Sequence, residues 1–104
     1  MKLADGTELI FRETTYADMF GRRAVIAFEK ETDEMYGDIT INLPGYPIQD
    51  NRVFLTANSP ILIKEMVKQG YLRIHGSVKY NYGTYEIGEF LQKFEDEVRP
   101  FDEE

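Results

Sequence analysis

The single histidine, His75, stands in the run LRIHGS between Arg73 and Ser77. An unperturbed imidazole titrates near about 6.5, so His75 is the side chain expected to change charge around neutrality and the first candidate for a general base. A base needs a nucleophile or an orienting carboxylate within reach. The chain has two serines, Ser59 and Ser77. Ser59 reads as a helix cap, and Ser77 lies beside His75 without the glycine-flanked elbow that activates a hydrolase serine. With no cysteine there is no thiol nucleophile, disulfide framework, zinc ribbon or iron–sulfur ligand set. No catalytic constellation is expected, and the chain reads as a non-enzyme.

Glu31, Asp33, Glu34 and Asp38 are hard oxygen ligands close in sequence, but they lack the alternate-position spacing, glycine and distal glutamate of a calcium loop. With 19 acids in 104 residues, chance carboxylate pairs are common. The glycines form neither GxGxxG nor GxxxxGK, so no phosphate cradle is present. No metal or cofactor is expected. The segment KYNYGTY, residues 79–85, interleaves Tyr80, Tyr82 and Tyr85 with Lys79, the kind of strand on which bases or a protein partner can stack. Nucleic acid needs a cationic groove as well. Here Glu86, Glu89 and the acidic end of the chain oppose Lys68, Arg73 and Lys79, so cross-strand packing or a protein-binding face is the better reading.

The net charge is -7, from 12 Lys and Arg against 19 Asp and Glu. Such a balance disfavours general affinity for nucleic acid backbones or anionic membranes. The charge is concentrated: residues 95–104 hold six acids and one base, -5 of the -7. This run reads as a flexible acidic tail on a single domain of residues 1–94, because like charges repel and Pro100 removes a backbone donor. Glu95, Asp96 and Glu97 are therefore candidate partner-binding residues beside the tyrosines. The opening MKLADGTELIF lacks the apolar stretch of a signal peptide, and no apolar run approaches the roughly 18 residues of a membrane span. The expected address is the cytoplasm.

Positioning these residues requires an ordered core, and 42 % apolar with 30 % charged residues is a globular composition. Thr7–Glu13 reads as a strand in which Ile10 breaks alternation, so both of its faces are partly covered. Arg22–Lys30 reads as a central strand, with Ala24, Ile26 and Phe28 on one side and Val25 and Ala27 on the other. A polar turn over Glu31–Gly37 leads to a half-buried strand, Asp38–Leu43, which Pro44 and Pro47 end. Val53–Thr56 is a short edge strand or extended link. Ser59 as cap, Pro60 in the first turn, Leu62 with Met66, Ile63 with Val67, and a closing Gly70 predict a helix over Pro60–Gln69. Tyr71–Leu91 predicts two strands joined near Asn81–Thr84, and a short helix starting near Glu89 and running through Lys93 into Glu95–Glu97 would be pinned by Phe90 and Phe94. The expected fold is α+β: a largely antiparallel sheet of about five strands with one main helix on one face.

The stretch DITINLPGYPIQDNRVFLTANSP, Asp38–Pro60, resembles a family of small proteins of unknown function carried on bacterial conjugative transposons and related mobile elements. Asn42, Leu43, Pro44, Pro47, Phe54, Asn58, Pro60, Gly83, Tyr85 and Phe90 match its pattern. The likeness spans about Arg22–Phe90 and rests on turn and core residues. It departs at the helix and at GSVKYNY, where the family carries longer, glycine-rich versions, and the acidic end has no counterpart. The resemblance implies a cytoplasmic accessory protein of a mobile element and assigns no residue a role.

The residues and the resemblance together point to a protein-binding module acting on an unidentified protein partner. The alternative is an acidic nucleic-acid mimic that blocks a host defence or DNA-handling protein. A free edge strand would also allow a homodimer by sheet extension.

Overall fold

The computed structural model describes residues 1–17, 21–81 and 83–101. Its elements run β1 (Leu9–Thr15), β2 (Arg23–Glu29), β3 (Met35–Asp38), β4 (Val53–Phe54), α1 (Pro60–Lys68), β5 (Leu72–Tyr80), β6 (Gly83–Phe90), α2 (Gln92–Glu97) and β7 (Arg99–Pro100). The class is α+β, as expected, but the strands form two sheets. One has the order β3-β2-β1-β7 and the other β4-β6-β5.

The segment after β3 stitches the sheets together. Ile39 donates its N–H to the Val25 carbonyl of the first sheet at 3.0 Å. On its other side, Thr56 donates to Ile39 and Ile41 donates to Phe54, each at 3.0 Å, around a Thr40–Leu55 bridge. This corrects the expected strand Asp38–Leu43. The regular strand ends at Asp38, and Ile39–Ile41 crosses from one sheet to the next. Thr40 is buried at the crossing, and its hydroxyl accepts from the Val25 N–H at 3.0 Å, so the polar group is satisfied where a ladder would otherwise have run.

Helix α1 follows its sequence pattern closely. Pro60 occupies the first turn, and Leu62, Ile63 and Met66 are buried, whereas Val67 is exposed. Gly70, at φ +82°, closes it: Gly70 donates to Val67 and Tyr71 to Met66, the paired bonds of a Schellman turn. Ser59 does not cap through its hydroxyl; its carbonyl takes the Ile63 N–H at 3.0 Å instead.

The core joins both sheets and both helices through Phe11, Val25, Ile39, Leu55, Leu62, Met66, Leu72, Phe90 and Phe94. Phe94 is fully buried, its ring stacked on Phe90 at 3.9 Å and tilted against Phe11 at 5.1 Å. The pair pins α2 as the spacing predicts, although Phe90 belongs to β6 and the helix begins only at Gln92.

Residues 95–101 are not a loose tail. Glu95–Glu97 complete α2, and Arg99–Pro100 pair parallel with Arg12–Glu13 of β1. Phe101 donates its N–H to the Glu13 carbonyl at 2.7 Å. Repulsion among the acids is offset because Glu95 and Glu97 face cations of the body: Arg23 for the first and the Met1 ammonium for the second. Residues 102–104 of the charge run lie outside the described residues.

Candidate interaction surface

Strand β2, RAVIAFE, is apolar on both sides, and only one side meets the core. Val25 and Ala27 are buried inward, whereas Ile26 and Phe28 point outward and are half-buried. Register sets their neighbours: Phe28 lies opposite Ile10 of β1 and Met35 of β3, and Ile26 lies opposite Arg12. The Phe101 ring, just past β7, stands edge-on to Phe28 at 5.8 Å. Met35, Phe28 and Ile10 therefore lie side by side across β3, β2 and β1, and Phe101 reaches this apolar row through Phe28. Met35 is 56 % exposed and Phe101 43 %.

A bulge shapes the β3 end of this row. Ala27 pairs with Gly37 but Phe28 with Met35, so Tyr36 is the extra residue. The insertion turns Met35 to the outer face, while Gly37 stays on the inner side, where a Cβ would stand 3.1 Å from the Ser59 hydroxyl. Exposed Tyr36 lines a shallow groove of about 290 Å³ with Pro60 and exposed Ile61. On the β2 side the outer face runs into a second depression, of about 280 Å³, lined by Tyr16, Ile26 and Ile41 among others.

Charge frames the row. The Arg12 guanidinium lies over the Phe28 ring at 4.8 Å and pairs with Asp33 at 2.7 Å. Glu31 and Glu34 of the adjoining turn are exposed. Such a face, apolar at its centre and charged at its margin, has the composition of a protein contact surface.

The residues singled out from sequence are dispersed. Tyr80 is half-buried and its hydroxyl donates to the Pro44 carbonyl at 3.2 Å. Tyr85 is half-buried too, its ring over Gly83, where an added Cβ would come within 2.9 Å of it. Tyr82 lies outside the described residues. Glu95, Asp96 and Glu97 sit in α2, beyond the opposite end of the β5–β6 hairpin, roughly 25 Å away at about 3.3 Å per strand residue. Both Glu95 oxygens accept from Arg23, Asp96 accepts from Gln92 at 2.8 Å, and Glu97 accepts from the buried Tyr71 hydroxyl at 2.7 Å. Desolvation first, then that bond, push the Tyr71 phenol up to about 12.

His75 occupies the irregularity between Ile74 and Gly76 in β5, with Nε2 2.7 Å from the Glu89 carboxylate. That hydrogen bond is the main cause holding the Glu89 carboxyl below its ordinary value. No hydrogen bond joins Ser77 to the pair. Among the described residues, no group of three or more His, Asp or Glu is gathered that could hold a metal, and no helix is long and apolar enough to cross a membrane.

Ile10 and the two-sided pattern of β2 foreshadow the apolar row, although each by itself equally fits a strand covered on both faces. Phe101 is legible as an apolar anchor between acids, whereas Met35 carries no sequence pattern that marks it. Comparison with protein-family models, curated proteins and solved structures finds no match to this chain.

Proposed function

We propose that the chain is a non-enzymatic protein-binding module whose docking face is the outer side of the β3-β2-β1-β7 sheet. The observation that carries this reading is the apolar cluster of Met35, Phe28, Ile10 and Phe101 on that face, with Met35 and Phe101 exposed and Phe28 and Ile10 half-buried between them. Its partner presents an apolar ridge flanked by basic residues, because Glu31 and Glu34 border the cluster and the whole chain carries -7. The same charge opposes self-association through this face. On the mobile-element resemblance, the partner belongs to the element or its host.

The mimic reading has fewer carboxylates at its disposal than the sequence suggests, since Glu95 and Glu97 are engaged within the fold. The test compares the native chain with the double variant Met35→Ser, Phe101→Ser in capture from host lysate at low and high salt. Met35→Ser should change stability by no more than about 0.5 kcal/mol, and Phe101→Ser, which also gives up the edge-on contact with Phe28, by about 0.5–1.5 kcal/mol. A defined protein held by the native chain and released by the variant supports the reading. Retention by both, with loss in high salt, would favour acidic mimicry instead.

A further inference from the structure

Away from this face, a cleft of about 470 Å³ lies between the start of β2 and the loop that precedes β4, lined by Arg22, Arg23, Ile48, Gln49, Asp50 and Arg52 among others. Three of the chain's six arginines meet in this one depression. Two of them are structural. Arg22 donates to the Leu43 carbonyl at 3.0 Å and to the Tyr46 carbonyl, which ties the loop to β2, and its guanidinium lies 5.5 Å from the Phe54 ring. Arg23 is neutralised by Glu13 and Glu95.

Arg52 is different. It is half-buried, and among the described residues its side chain has neither a hydrogen bond nor an ion pair; its Nε is closed to solvent and meets no acceptor. A guanidinium carries five donors; the Nε–H of Arg52 is sealed off, whereas its Nη groups, unpaired as well but not sealed, are the ones a ligand in the cleft can reach. The turn that presents it is closed by the Arg52 N–H donating to the Gln49 carbonyl at 3.0 Å, so its backbone is set. Glu89, whose charge it feels, is already joined to His75. Asp50 shares the cleft but forms no ion pair with Arg52.

We propose that this cleft binds a small ligand through an oxyanion, a carboxylate or a phosphate, which Arg52 receives. The volume is that of a small-molecule site, and a planar guanidinium matches either group bidentately. Asp50 borders the same space, and its charge opposes the anion. This site is independent of the docking face on the first sheet.

The test titrates the protein with inorganic phosphate and, separately, with acetate at constant ionic strength. It follows the arginine Nε–H resonances by NMR. A saturable shift of the Arg52 resonance is expected, and the tighter of the two probes identifies the source of the oxyanion. Arg52→Gln should weaken binding by about tenfold or more, the loss of a charge-assisted pair. Asp50→Asn should tighten it by removing a like charge, and this arm reads the site even where Arg52→Gln fails to fold. An Arg52 resonance unmoved by both anions, equal affinity in the native chain and Arg52→Gln, or no gain in Asp50→Asn would overturn the proposal.

Discussion

Glu95 grips Arg23 with both carboxylate oxygens, at 2.8 and 2.9 Å, across 72 residues of sequence. Arg23 meanwhile donates through Nε to Glu13 at 2.7 Å, and its guanidinium lies over the Phe90 and Phe94 rings at 5.0 and 5.5 Å. One cation thus holds α2 to the first sheet at the point where both meet the core. The pairs hold the Arg23 guanidinium in its charged form, against a desolvation that works the other way.

Glu95→Ala should therefore destabilise the fold by about 1 kcal/mol, less than an ideal buried pair because Glu95 is partly exposed to solvent. A chain ending at Phe94 should lose considerably more, since it also loses the β7 pairing and the Tyr71–Glu97 bond. Urea unfolding of the three chains measures both. Equal midpoints would mean that residues 95–101 contribute nothing to the fold.

Tyr71 supplies a pH signature. Its folded pKa, about 12, lies above the ordinary phenol value of 10.0. Folding therefore favours the protonated form, so the contribution to stability is complete below pH 10 and is lost as pH rises from 10 towards 12. The pH-dependent part amounts to roughly 3 kcal/mol. In an alkaline absorbance titration, Tyr71→Phe should remove a late-ionising phenol. It should also flatten the fall in stability over that interval. A titration curve that loses an early step instead would contradict the bond to Glu97.

Gly88 lies in β6, the central strand of the second sheet, against two buried leucines. A Cβ there would stand 2.9 Å from Leu55 Cδ1 and 3.1 Å from Leu72 Cδ1, both in buried side chains. Gly88→Ala should cost about 1–3 kcal/mol by overpacking. Thermal unfolding of this variant, beside Gly88→Ala with Leu55→Val to make room, reads the effect. No recovery in the double variant would locate the strain elsewhere.

Several elements were legible in the residues alone because their causes are local. Pro60, the Leu62–Met66 spacing and Gly70 determined α1 to within one residue of its end, and the β-formers on either side of Asn81 determined the β5–β6 hairpin. Asn81 itself takes φ +54°, the left-handed turn conformation that asparagine tolerates. The two-sided apolar pattern of β2 likewise marked a central strand. The lack of cysteine by itself determined that thiol, disulfide and cysteine-ligated metal chemistry have no residues to perform them.

What the tertiary structure decided was whatever depends on partners far along the chain. Read by itself, 95–101 is a repelling run that a short helix could enter at Glu95–Glu97; only beside Arg23, Tyr71 and β1 are its charges met and Arg99–Pro100 made an edge strand, because opposite charges and free ladder groups wait there. Alternation in 38–43 could not show that Thr40 sits at a crossing between two sheets, since the choice lies in the bonds to Val25 and Leu55. The exposure of Phe28's face and the unmatched guanidinium of Arg52 are set the same way. Burial and pairing are properties of the assembled neighbourhood, and periodicity records only that a side chain is apolar or charged.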